Sequence, residues 1–323
     1  MSAPRGYGIT IPFDGVPLDA QRDWITELVD LGYTDVWSAE TDGADAFTPL
    51  ALTSVWAPSL RLGTAIVPVF TRGPAVIAQS AAALAEAAPG RFVLGIGTSS
   101  NVIVSRWNGI AFDEPYRRMR DTLRFLRAAL SGEKVTETYD TFSIHRFRLS
   151  TVPEQAPPIL VAALREGMLN LAGREGDGAI INWLSAEDVA TVAPIVRAHG
   201  QDKEIVARIF VVPSADTDTV RAQGRFAIAA YLNVPVYRAF HEWLGRGPQL
   251  QGMWDAWAAG DRARALELIP DEVVDQLIVH GTPEQCRAQI QRYVDNGVTT
   301  PALAVLGLAG VDVRTAVREL APR

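Results

Sequence analysis

The chain has 323 residues, 48% of them hydrophobic and 21% charged, with a formal net charge of −7. That size and apolar content support a sizeable buried core, and the negative balance argues against a nucleic-acid backbone or an anionic membrane as principal partner. A lone cysteine, Cys286, excludes an intramolecular disulfide, and the opening MSAPRGYGITIPFDG has no charged-then-apolar export segment; with no apolar run of membrane-spanning length, a cytoplasmic protein is expected.

In chain order, short apolar runs rich in β-branched residues fall at 7–11, 35–38, 62–69, 92–97, 159–163, 178–182, 205–212 and 301–306. Between them lie segments with apolar residues three or four apart, at 20–31, 47–56, 75–88, 116–130, 167–173, 186–198, 217–232 and 283–296. The runs are apolar throughout rather than alternating, which suits strands covered on both faces, and short strand-to-helix connections make neighbouring strands parallel. The alternation predicts an α/β protein, a (β/α)8 barrel, as a single domain over 1–323. Two stretches break the repeat: 133–155, strand-like and rich in Thr and Arg, and 233–270, which carries Trp243, Trp254 and Trp257. Both are read as insertions over the mouth of the barrel, the second alternatively as a helical subdomain or subunit contact. A doubly wound sheet is the rival, but Gly95-x-Gly97 follows three earlier strand–helix units and runs on into Thr98-Ser99-Ser100 without a third glycine.

In such a barrel the binding and catalytic groups gather where strands end. The first strand ends at Asp14, the second at Glu40-Thr41, the third at Ala65-Ile66-Val67, the fourth at Gly97–Ser100, the fifth at Ala163-Leu164-Arg165 and the sixth at Asn182-Trp183. Asp14 and Glu40 thus reach one mouth from adjacent strands, where burial can raise a carboxyl pKa and poise it for proton transfer, or both simply hold loops and helix N-termini. Glycine and hydroxyl residues after the fourth strand let backbone N–H groups approach a flat or anionic cofactor. Trp37, Trp107, Trp183 and Phe70 sit near strand ends and can wall an apolar pocket, or belong to the core. The four histidines, His145, His199, His241 and His280, lack ligand spacing, so no metal site is expected.

The segments LGTAIVPV at 62–69, APGRFVLGIGTSS at 88–100, YRRMRDTLRFLRAALSGE at 116–133, PPILVAALREGMLNLAGREGDGAIIN at 157–182 and GTPEQCRAQIQRYVDNGVTTPAL at 281–303 resemble the bacterial luciferase-like superfamily. The resemblance is strongest to its actinobacterial branch that uses coenzyme F420. It implies a barrel that binds a flavin or deazaflavin at the strand C-termini. It also implies a non-prolyl cis peptide at Ala65-Ile66, against the cofactor ring together with Val67, and cofactor contacts from Gly97, Thr98, Ser99 and Ser100. At the fifth strand, Ala163, Leu164 and Arg165 stand where the family carries a Gly-Pro pair for phosphate; Arg165 supplies a cation there and Glu166 weakens the field. At the second strand Glu40-Thr41 replaces an Asp-His pair, so Glu40 is the expected proton-handling group, with Thr41 as donor and Asp14 in support.

The resulting expectation is an F420-dependent oxidoreductase that passes hydride between deazaflavin C5 and an apolar organic substrate, in a possible homodimer. The alternatives are an FMN-dependent monooxygenase working with a separate flavin reductase, and a non-catalytic cofactor-binding relative.

Overall fold

The computed structural model describes residues 4–322. In chain order its elements are β1 (Gly8–Ile11), α1 (Arg22–Asp30), β2 (Asp35–Ser38), α2 (Phe47–Trp56), β3 (Arg61–Thr64), β4 (Val67–Pro68), α3 (Pro74–Ala87), β5 (Phe92–Gly97) and α4 (Pro115–Leu130). They continue with β6 (Val135–Thr138), β7 (Ser143–Phe147), β8 (Ile159–Ala162), α5 (Glu166–Arg174), β9 (Gly178–Asn182), α6 (Ala186–Arg197), β10 (Glu204–Val212) and α7 (Thr217–Leu232). The last are α8 (Pro235–Trp243), α9 (Gly247–Ala258), α10 (Arg262–Glu267), α11 (Asp271–Leu277), β11 (Ile278–His280), α12 (Pro283–Asp295), β12 (Thr300–Val305) and α13 (Val313–Glu319).

Parallel pairing runs β1-β2-β3-β5-β8-β9-β10-β12 and returns from β12 to β1 with Gly8 opposite Ala302, which closes an eight-stranded barrel. Closure rules out the doubly wound sheet, which keeps two open edges. All eight predicted strands are present, the third split into β3 and β4 around Ala65-Ile66. The helices start where local chemistry supplies an N-terminus: Ser185 and Asp188 form a capping box on α6, Thr282 and Gln285 do so on α12, and Pro74, Pro115 and Pro235 open α3, α4 and α8.

Trp37, Val93, Leu160, Ile180, Val206 and Ala302 fill the interior. Gly63 makes room for Trp37, since a Cβ there would lie 2.2 Å from the indole. Below this plug the strand N-termini are tied by Arg61, which bonds both Asp35 and Glu204, while Thr300 donates to Glu204 at 2.7 Å. The polar network is structural, on the face away from the strand C-termini.

The two insertions behave differently. Residues 133–155 form the β6–β7 hairpin, which lies along α4: Thr141 donates its N–H and hydroxyl to Asp121 at 3.0 Å each, and Phe125 packs against Phe142 and Phe147. The hairpin contributes nothing to the cavities at the mouth, contrary to expectation. Residues 233–270 fold into α8, α9 and α10 over the upper end of β10, with Trp254 buried and donating to the Leu232 carbonyl at 3.0 Å. A short strand absent from the sequence reading, β11, pairs with Phe210–Val212. Among the described residues no helix is long and apolar enough to cross a membrane.

Candidate active site

A cavity of about 320 Å³ opens at the C-terminal ends of the strands. One wall is built where β3 breaks. The Ala65–Ile66 peptide is cis, Ala65 N–H donates to Ser38 O at 2.5 Å, and Ile66 O accepts from Glu40 N–H at 3.2 Å. The bulge lies hard against β5 because two residues there lack side chains. A Cβ on Gly95 would fall 1.9 Å from the Thr64 carbonyl oxygen, and one on Gly97 would fall 2.5 Å from Cγ1 of Ile66. Ile66 and Gly97 therefore form one face of the cavity. Beyond Gly97, Ser99 takes a left-handed φ of 61°. Among the described residues, the N–H groups of Ser99 and Ser100 find no acceptor in the chain, so the turn presents two free donors beside that face. A π-helical segment, Val102–Trp107, follows and adds Val102, Ile103 and Trp107 to the wall.

Glu40 lines the same cavity, clasped by Arg72. The Arg72 Nε lies 3.0 Å from each carboxylate oxygen, Nη2 lies 2.8 Å from Oε2, and Ala46 N–H donates to Oε2 at 3.2 Å. The hydrogen bond to Glu40 raises the Arg72 pKa further above its ordinary value. Arg72 also reaches Asp45 at 3.4 Å. Burial pushes that carboxyl upward, but bonds from Thr48 and Phe47 outweigh it and hold Asp45 below its usual range. Thr41 lines the cavity and donates to Asp42 at 3.1 Å.

Of the expected cofactor residues, Ala65, Ile66, Gly97, Thr98, Ser99, Ser100 and Leu164 line the cavity. Val67 and Ala163 are buried behind it, and Arg165 is exposed at the start of α5. Asp14 belongs to a neighbouring cavity of about 140 Å³, which also touches Thr41. Among the four aromatics, only Trp107 reaches the main cavity. Trp37 fills the barrel interior, Trp183 stacks on Phe210 with ring centroids 4.0 Å apart, and Phe70 packs on Phe112. His145 is exposed, His199 bonds Asn170, and His280 donates from Nδ1 to the Ile278 carbonyl. His241 is fully buried in α8, and burial, then the charge of Arg246, pushes its pKa down to about 4.

The opposite wall holds groups that the sequence did not mark. Arg208 projects from the middle of β10, and Tyr231 and Tyr237 come from α7 and α8. The Tyr237 hydroxyl donates to Asn182 Oδ1 at 3.2 Å. Burial pushes this phenol up to about 12, against the pull of Asn182 and Arg208. The usable signal for Arg208 was a single charge inside the apolar run IVARIFVV.

The chain matches the profile of a family described as luciferase-like monooxygenase over residues 4–300. It is 29% identical over 302 residues to an F420-dependent glucose-6-phosphate dehydrogenase of Kineococcus radiotolerans, covering 86% of this chain and 84% of that protein. It is 27% identical over 277 residues to a 5,10-methylenetetrahydromethanopterin reductase of Methanolobus tindarius, covering 83% and 84%. The fold superimposes with a TM-score of 0.79 on the coenzyme F420-dependent tetrahydromethanopterin reductase of Methanopyrus kandleri, at 18% identity and covering 99% and 98% of the two chains.

Proposed function

Because the chain belongs to the luciferase-like monooxygenase family, we propose that it is an oxidoreductase that takes coenzyme F420 as its hydride carrier and acts on a small organic substrate. The observation that carries this reading is the face made by Ile66 and Gly97 with the free N–H groups of Ser99 and Ser100 at its edge. A flat tricyclic ring fits the face that Ile66 makes where it packs over Gly97, and its polar edge or side chain fits unpaired backbone donors. Relatives named for F420, at 29% and 26% identity over 86% and 93% of the chain, support the deazaflavin over FMN. When bound, the deazaflavin supplies hydride transfer, and the protein supplies orientation, a substrate pocket and a proton path.

Ala65, Ile66, Gly97, Thr98, Ser99, Ser100 and Leu164 hold the cofactor in this reading. Glu40 is the proton-handling group. Its carboxylate is held at the cavity wall by Arg72, with Thr41 beside it. Ile103, Trp107, Val234 and Val236 give the substrate an apolar wall.

The test is direct titration of the purified protein with F420, FMN and FAD separately, followed by protein fluorescence and calorimetry. F420 is expected to bind at least tenfold more tightly than either flavin, a gap of about 1.4 kcal/mol. Preference for FMN would instead identify a monooxygenase served by a separate reductase. F420 binding without turnover over a broad substrate panel would make the protein a cofactor carrier.

A further inference from the structure

The inward-facing positions of β10 change character from bottom to top. Glu204, Val206 and Arg208 are two residues apart and share one face of the strand. Glu204 is committed to Arg61 and Thr300 below the plug, and Val206 belongs to the plug itself. Arg208 is the next layer up and opens on both cavities. Four residues of strand, about 13 Å, separate its Cα from that of Glu204, so the carboxylate below cannot serve as counter-ion.

Among the described residues Arg208 has no hydrogen bond and no ion pair. Its Nε is enclosed without a partner, and the Phe210 ring centroid lies 5.0 Å from the guanidinium carbon. Arg208 is half-buried with its Nε shut away from water, and a guanidinium so placed gains by pairing with an anion through the donors that still face the cavity. The carboxylates on these walls do not provide it: Glu40 is held by Arg72, and neither Asp14 nor Asp42 pairs with Arg208. Beside it, Asn182 accepts from Tyr237 through Oδ1, which leaves its amide N–H groups for another partner. The field of Arg208 reaches the Tyr237 hydroxyl and draws its pKa down against burial. Around the barrel β10 stands four strands from β3, diametrically across the mouth from the Ile66 wall.

We infer that Arg208, with Asn182 alongside, anchors a carboxylate or phosphate group of the substrate on the wall facing the Ile66–Gly97 face. The inference rests on the oxidoreductase reading of the cavity and narrows its substrate to an organic anion with an apolar body. The guanidinium offers two parallel donors to either oxyacid, and Trp107 and Val236 cover the rest of the molecule. The placement leaves the reacting carbon between the two walls.

The probes are benzoate, inorganic phosphate and the uncharged benzamide, titrated by calorimetry into wild type, Arg208→Met and Arg208→Lys, each with and without F420. Wild type is expected to bind benzoate or phosphate saturably, with benzamide at least tenfold weaker than benzoate. Arg208→Met should lose at least tenfold in anion affinity and keep its F420 affinity within threefold. Arg208→Lys, which keeps the charge but not the fork, should fall between them. Because Arg208 has no partner to lose, both variants should melt within a few degrees of wild type; should Arg208→Met fail to fold, the loss in Arg208→Lys decides. Absence of saturable anion binding to wild type below about 10 mM, wild-type affinity in the variants, or loss of F420 instead of the anion overturns the assignment. Failure of F420 to bind wild type would count against the oxidoreductase reading alone, since the anion titrations without F420 stand by themselves.

Discussion

Gly95 and Gly97 lie two residues apart on the same strand, and alanine at each should do different damage. At Gly95 the new Cβ would stand 1.9 Å from the Thr64 carbonyl oxygen and 2.4 Å from Ile180 Cδ1. Backbone must move by more than 1 Å, which strains the bonds between Gly95 and the Thr64 hydroxyl, both 2.8 Å. Two buried hydrogen bonds and an overpacked interior together cost about 3–5 kcal/mol. At Gly97 the Cβ would meet only side chains, Ile66 Cγ1 and Cδ1 at 2.5 and 2.6 Å and Ala162 Cβ at 3.2 Å. Ile66 is only partly buried and borders the cavity, so it can swing outward at about 1 kcal/mol, part of which is offset by the stiffer unfolded chain. The displaced side chain then covers the face assigned to the cofactor. Thermal melts and F420 titrations by fluorescence separate the two cases. Gly95→Ala should lose most of its stability; Gly97→Ala should melt near wild type and bind F420 at least tenfold more weakly. A Gly97→Ala protein that binds F420 within twofold of wild type would show that the ring does not rest on this wall.

Glu40→Gln keeps the shape of the side chain but replaces one of the two oxygens that accept from Arg72 with an amide donor. On any substrate that supports F420 reduction, kcat should fall by about 10²–10⁴, with stability lowered by about 1–3 kcal/mol because the pair is largely buried. Unchanged kinetics across pH would leave Glu40 with a purely structural role. The His241 pKa of about 4 lies below its ordinary value of 6.5. Its neutral, buried form therefore contributes stability fully above pH 6.5, lost as pH falls toward 4 and amounting to about 3 kcal/mol over that interval. Arg246 faces the ring and opposes its protonation, while Asp188 favours it. His241→Phe should remove most of that acid limb in melts from pH 4 to 8, and an unaltered pH profile would show that other groups carry it.

The eight strands, most of the helices around them and the glycine turn after β5 were legible in the sequence, because each depends on a local apolar period or on a backbone that tolerates no Cβ. The barrel was legible too, since short connections between buried strands leave few topologies. The lining of the cavity was legible where it consists of strand ends, as at Glu40, Thr41, Ile66 and Gly97–Ser100. Direction within a strand was not, because a strand covered on both faces shows no polarity alternation to say which residues point inward. Arg208 was therefore invisible as a cavity residue until β10 was placed between β9 and β12. For the same reason Val67 and Ala163 were counted with their cavity-lining neighbours although they face the other way. Contacts between distant segments belong to the tertiary structure alone. Arg72 meets Glu40 across 32 residues of chain, and Tyr237 meets Asn182 across 55. Asp14 and Glu40, from adjacent strands, open on different cavities. Closing the ring decides which side chains share a space, and no local pattern encodes it.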